Sequence, residues 1–167
     1  MKNETSYLSL TDGQDKLLDY WKSHQLPCGC APRAAINPGQ VRELLANISI
    51  VELSRSGHAT FRLAGSMLRD IVGAEARGRS VSEIQGGDLE PWCDALLTLL
   101  DTRVPVSGVN VLENGMRHVW LRLPLLDSSG ELTQIMCHDE LVNDENKPLK
   151  KRAKSELIPH LRERYAA

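Results

Sequence analysis

Residues 104–142 read VPVSGVNVLENGMRHVWLRLPLLDSSGELTQIMCHDELV, and this stretch holds three consecutive strands. Val104, Val106, Val109 and Val111 mark the first, β-branched residues that suit a pleated, half-buried surface. Glu113-Asn114-Gly115 then reverses the chain, because Asn-Gly readily takes the positive φ of a type I′ hairpin turn. Residues 116–126 form the second strand, with Val119, Leu121, Leu123 and Leu125 on one face. Asp127-Ser128-Ser129-Gly130 turns the chain again, and residues 131–142 complete an antiparallel meander.

Upstream of the meander the periodicity changes. Asp88 reads as the cap of a helix on which Leu89, Trp92, Leu96, Leu99 and Leu100 form one stripe. Residues 74–87 are glycine-rich and irregular, and before them Met67, Leu68, Ile71 and Val72 suggest a short helix stopped at Gly73. Residues 58–63 alternate strictly. Ala59, Phe61 and Leu63 point one way, and His58, Thr60 and Arg62 the other. Through the turn at Arg55-Ser56-Gly57 this strand pairs with Ile48–Leu53 as a hairpin. Asn37-Pro38 starts a helix, with Asn37 as cap and Pro38 at the first helical position. Further upstream, Thr11-Asp12-Gly13-Gln14 has the form of a capping box and opens a helix over 12–24 with Leu17, Leu18 and Trp21 on one face.

Strands segregated around a helical middle predict an α+β domain with a five-stranded antiparallel sheet. The expected organisation is a tail over 1–12, a domain over 13–142 that includes the N-terminal helices, and a basic segment over 143–167 ending in a helix. A 167-residue chain favours one domain with a sizeable core. Its net charge of -2 supplies no overall attraction to nucleic acid or anionic lipid. No apolar run is long enough to span a membrane, and the first residues lack a signal-peptide h-region, so the expected location is the cytoplasm.

There the four cysteines are expected as free thiols. Cys28-Gly29-Cys30 is the one close pair. Zinc sites usually use a longer spacer and repeat the pair, whereas the later cluster here is only Cys137-His138.

The chain resembles the bacterial PAS-like family of stand-alone proteins typical of alphaproteobacteria. The resemblance is carried by Leu18-Asp19-Tyr20-Trp21, Pro32-Arg33, Ile36-Asn37-Pro38, Phe61-Arg62-Leu63-Ala64-Gly65, Arg77-Gly78-Arg79-Ser80 and Leu123-Pro124-Leu125, in that order, over about residues 13–140. It implies a five-stranded sheet with helices packed on one face and a cavity between them that can hold a ligand. It also implies a regulatory role without catalysis, and dimer or partner contacts through the N-terminal helix, here Leu17, Leu18 and Trp21. Flavin-binding members use a reactive cysteine that Gly78-Arg79-Ser80-Val81 lacks. Haem-binding members use a histidine on a central helix, and residues 66–102 contain none. The cofactor therefore stays unknown.

Phe61, Leu63, Met67, Leu68, Ile71 and Trp92 are the expected pocket lining, although such stripes equally serve as core. Arg62 and Arg77 are the polar residues expected to orient a ligand or anion, or else to make structural ion pairs. Cys93 reads as a buried, inert thiol. His58, His118 and His138 fall on expected strands, where a solvent-facing position is the simplest reading. With Cys137 or Ser80 they offer a nucleophile–base alternative, and with Cys137 a metal alternative. The leading expectation is a sensory module that binds a small molecule or a regulatory protein and forms a homodimer. The alternative is a nucleic-acid-associated regulator acting through the basic segment at 147–164.

Overall fold

A computed structural model describes residues 6–84, 91–144 and 146–159. Strand β1 (Tyr7–Leu10) leads into helix α1 (Asp12–Ser23). The capping box forms as its sequence predicts: Gln14 N–H donates to Thr11 Oγ1 at 3.2 Å, and Thr11 N–H donates to Gln14 Oε1 at 3.2 Å. A two-residue strand β2 (Ala31–Pro32) and a 3₁₀ segment (Pro38–Asn47), capped by Asn37, bring the chain to β3 (Ile48–Leu53) and β4 (Ala59–Leu63). Three helices follow: α2 (Leu68–Val72), stopped by Gly73 at φ 74°, α3 (Val81–Ile84) and α4 (Asp94–Thr102). The meander is β5 (Val106–Val111), β6 (Arg117–Leu126) and β7 (Leu132–Val142), and β8 (Lys150–Ala153) comes last. The expected cap Asp88 and stripe residue Leu89 lie outside the described residues.

The sheet order is β4-β3-β7-β6, antiparallel throughout. The far edge of β6 is shared. Antiparallel β5 pairs with Arg117–Arg122, and parallel β2 pairs with Leu125–Leu126. Pro124 falls in the gap between these two pairings, where a missing N–H costs no ladder bond to either. The five expected strands are therefore all present. The structure adds β2 at the edge and a separate ribbon in which β1 pairs antiparallel with β8.

Both faces of the sheet are covered. On one, α1 and β1 pack Leu8, Leu10, Leu17, Leu18 and Trp21 against Leu121, Leu123 and Leu125. On the other, α2–α4 pack Leu68, Leu96 and Leu99 against Val51, Trp120 and Ile135. This arrangement corrects the expectation that Leu17, Leu18 and Trp21 form a dimer surface. All three are fully buried within the chain, and Trp21 Nε1 donates to Pro124 O at 3.0 Å. The short helix covers its stripe because the sheet lies beneath it and the β1 strand, in a segment expected to be a tail, joins the same core.

The basic segment opens as a strand, Lys150–Ala153, because the β1 edge offers these residues a backbone ladder. The expected terminal helix with Leu157, Ile158 and Leu161 runs into residues outside the described ones. The strand's cations are spent on α1: Arg152 Nη1 lies 2.8 Å from Asp15 and 2.9 Å from Asp19, and Lys150 Nζ lies 3.3 Å from Asp15. Part of the basic segment at 147–164 thus neutralises the chain's own acidic helix. Residues 160–167 lie outside the described residues.

Candidate ligand site between α4 and the sheet

Strand alternation sends His118, Trp120 and Arg122 of β6 and Asp139 of β7 to the α4 face. Arg122 is fully buried and Asp139 is 1% exposed. They form a bidentate pair, Nη2 to Oδ1 at 2.7 Å and Nη1 to Oδ2 at 3.1 Å. His118 Nε2 meets the same carboxylate at 2.7 Å. Burial alone would raise the Asp139 pKa, but the adjacent Arg122 charge and the His118 hydrogen bond outweigh it and hold the carboxyl at about 2.

The remaining guanidinium donors reach backbone: Nε donates to Pro91 O at 2.9 Å and Nη1 to Leu121 O at 3.0 Å. Trp92 lies over this cluster. Its ring stacks on His118 at 5.6 Å between centroids, and the Arg122 guanidinium carbon sits 5.1 Å from the Trp92 ring centre and 5.5 Å from that of Trp120. Gly108 on β5 makes room for Trp120, since a Cβ there would fall 2.1 Å from the indole.

Beside Trp92 opens a cavity of about 550 Å³. Trp92, Leu96 and Leu100 line it from one side, and Leu53, Ala59 and Val81 from the hairpin and α3. The four-residue spacing of 92, 96 and 100 gives this segment a stripe along the cavity, while Ala95 and Leu99 enter the core. Cys93, expected to be buried, is half-buried and lines the cavity as well.

Of the residues expected in a pocket, the structure brings Trp92 to the cavity. Phe61 stands behind it in the core, edge-on to Trp92 at 6.4 Å, and Leu68 is in the same core with Ile71 packed against it. Leu63 and Met67 are exposed. Arg62 is on the surface with its Nε 3.2 Å from Glu52. Arg77 is exposed, and with Leu68 it borders a separate polar depression beside the Arg69–Glu75 ion pair.

Two of the three histidines correct the solvent-facing expectation. His118 and His138 are buried, while His58 is exposed as expected, in the turn ahead of β4. Cys137 and His138 are neighbours on a strand and so face opposite sides: Cys137 enters the α4 core, while His138 Nε2 approaches Gly13 of α1. Burial pushes the Cys137 thiol up to about 12 and the His138 pKa down. The pair therefore makes neither a nucleophile–base couple nor a metal site. The Cys30 thiol is likewise raised by burial, to about 11. Among the described residues no three metal-ligating side chains cluster.

Sequence reading missed Arg122 and Asp139, and it singled out His118 without placing it beside them. The signal was there: Arg122 interrupts the apolar run Trp120–Leu126, and Asp139 follows Ile135-Met136-Cys137 across the hairpin. With Trp120 opposite Asp139 and Arg122 opposite Cys137, the two charges are diagonal neighbours on one face.

A comparison with curated proteins finds no significant match. Among solved structures the chain is similar to the dark state of the blue-light photoreceptor Aureochrome1 LOV, at 16% identity and a TM-score of 0.46, covering 75% of this chain and 91% of that one. It is also similar to a Rhodobacter sphaeroides LOV protein, at 13% identity and a TM-score of 0.44, covering 66% of this chain and 71% of that one. These two likenesses are too low to carry any argument about this chain. The model of the PAS domain family matches residues 11–133, which is most of the chain. The chain therefore belongs to the PAS domain family.

Proposed function

We propose that this protein is a sensory module that takes a small molecule into the cavity beside α4 and passes its occupancy on through the Trp92 segment. PAS domains are sensory signal-transduction modules, and membership supports that role and a non-catalytic one. The observation that carries the ligand reading is the second apolar stripe of the α4 segment. Trp92, Leu96 and Leu100 border a void of about 550 Å³ and do not fill it, a size typical of sites for small organic molecules.

Trp92 also supplies a connection from the cavity. It stacks on His118, and the carbonyl of the preceding residue, Pro91, is held by Arg122. A ligand that moves Trp92 therefore perturbs a buried charge cluster spanning β6 and β7. The nucleic-acid alternative has less support, because Lys150 and Arg152 are paired with Asp15 and Asp19. We place the module in the cytoplasm, where its four thiols stay reduced. Among the described residues no helix is long and apolar enough to cross a membrane.

Native mass spectrometry of the purified protein tests the reading. A stoichiometric co-purified small molecule, lost on denaturation, is the expected result. An empty chain that also ignores a broad panel of small molecules would replace the ligand reading with one of protein contact.

A further inference from the structure

The cavity has two chemically different parts. Its walls are apolar, from Trp92, Leu96, Leu100, Leu53, Val81 and Leu132. Its hairpin side carries Arg55, His58 and the hydroxyls of Ser80 and Ser82. No carboxylate is found among the described lining residues. Most arginines nearby are already engaged: Arg62 with Glu52, Arg69 with Glu75, Arg79 with Glu83 and Arg122 with Asp139. Arg55 has no ion-pair partner among the described residues, and it is the cation that borders the cavity. The Ser80 and Ser82 hydroxyl oxygens lie 2.9 Å apart. One hydroxyl can donate to the other, which leaves a hydroxyl hydrogen free to reach an acceptor.

From this we infer that the cavity takes an amphipathic organic anion, with its apolar body along Trp92, Leu96 and Leu100 and its anionic head at Arg55, His58, Ser80 and Ser82. The inference rests on the ligand-sensing reading and names the chemistry of the ligand. An apolar body displaces water from leucine and indole surface, which supplies the affinity. The head group meets a cation and hydroxyl donors and no like charge, which supplies the orientation. A cationic amphiphile of the same length meets Arg55 with the wrong sign.

The test titrates the full chain with decanoate, 1-decanol and decylammonium, each below its micellar concentration, by calorimetry and by tryptophan fluorescence. Decanoate is expected to bind with a change in Trp92 emission, and decylammonium at least about fivefold more weakly. Arg55→Gln should weaken decanoate about threefold, leave 1-decanol unchanged and reduce the salt dependence of decanoate binding. Leu100→Trp, which fills the cavity from its half-exposed side, should abolish binding of all three. Should that variant fail to unfold cooperatively, Leu97→Glu at the exposed rim takes its place, and its negative charge should weaken decanoate while leaving 1-decanol unchanged.

If decylammonium binds as well as decanoate, or Arg55→Gln changes nothing, the anion inference is overturned while the ligand-sensing reading stands. If none of the three binds, the inference fails, and the co-purification result then decides the broader reading separately. If the chain instead self-associates and Leu100→Trp dissolves that association, the cavity belongs to a second copy of the chain and the inference is wrong.

Discussion

The two faces of the sheet use similar amounts of apolar side chain in different ways. Under α1 the packing is closed: Leu17, Leu18 and Trp21 are fully buried against Leu121, Leu123 and Leu125. There Gln14 Nε2 donates to Val119 O at 2.9 Å and Trp21 Nε1 to Pro124 O, while the buried His138 Nδ1 has no hydrogen-bond partner among the described residues. Under α4 the packing is open. That face buries an arginine, an aspartate and a histidine, leaves the indole N–H groups of Trp92 and Trp120 without hydrogen-bond partners among the described residues, and borders a cavity of about 550 Å³. A face that only stabilises tends toward full packing. The α4 face departs from it at the cavity, as a surface prepared to rearrange would.

Three measurements would sharpen or break this contrast. The largest effect is expected from truncating the two tryptophans. Trp21→Ala should cost about 4 kcal/mol, because its site is enclosed on all sides and cannot collapse. Trp92→Ala should cost markedly less, since one side of its ring already borders a void. Urea denaturation of both variants decides, and equal losses would mean that the α4 face is packed as tightly as the α1 face.

Next comes the charge cluster. Asp139→Asn leaves the Arg122 guanidinium buried without its counter-charge and should cost about 3 kcal/mol. The double change Arg122→Met with Asp139→Leu should recover most of that loss, because burying two charges is itself costly. The sign in acid follows from the depressed pKa. The Asp139 contribution is complete above about pH 4, the unfolded value, and is lost as pH falls toward about 2. Stability measured between these pH values should fall more steeply for the parent than for the double variant. A parallel fall would remove the cluster from the account of acid sensitivity.

The smallest effect is at Gly108. Alanine there must push the Trp120 indole, which a Cβ would approach to 2.1 Å, and should cost about 2 kcal/mol through overpacking. Near-UV circular dichroism should report the shifted indole. An unchanged spectrum and unchanged stability would show that the ring has room to move.

How far the chain could be read without its tertiary structure depended on whether a signal was local. The capping box at Thr11–Gln14, the stop at Gly73 and the turn at Asp127–Gly130 each act within a few residues, and each forms as expected. Asn114-Gly115 also reverses the chain, but not as the expected type I′ turn: only Gly115 takes a positive φ, at 81°, and its N–H donates to Leu112 O. The β5–β7 meander follows from two such turns and from the alternation between them. The charge cluster did not emerge this way, because an arginine in a strand reads as solvent-facing until something is known to cover that face. Only the Pro91-Trp92 segment ahead of α4, arriving from earlier in the chain, covers Arg122 and turns a surface charge into a buried one.

The same reasoning explains Leu17, Leu18 and Trp21. An apolar stripe on a short helix shows that something must cover it, and the periodicity does not say what. The sequence by itself therefore determined the five strands of the main sheet, the chain reversals between them, the strand faces and the family, since these rest on local sterics, period-2 and period-3.6 patterning and the order of short motifs. The added strands β1, β2 and β8 carry no such local signal, because each is a strand only through the partner it pairs with. The tertiary structure alone decided which stripe met the sheet and which met a void. It also decided which charges were buried and which cations were already paired, since burial and electrostatic pairing depend on contacts between residues far apart in the chain.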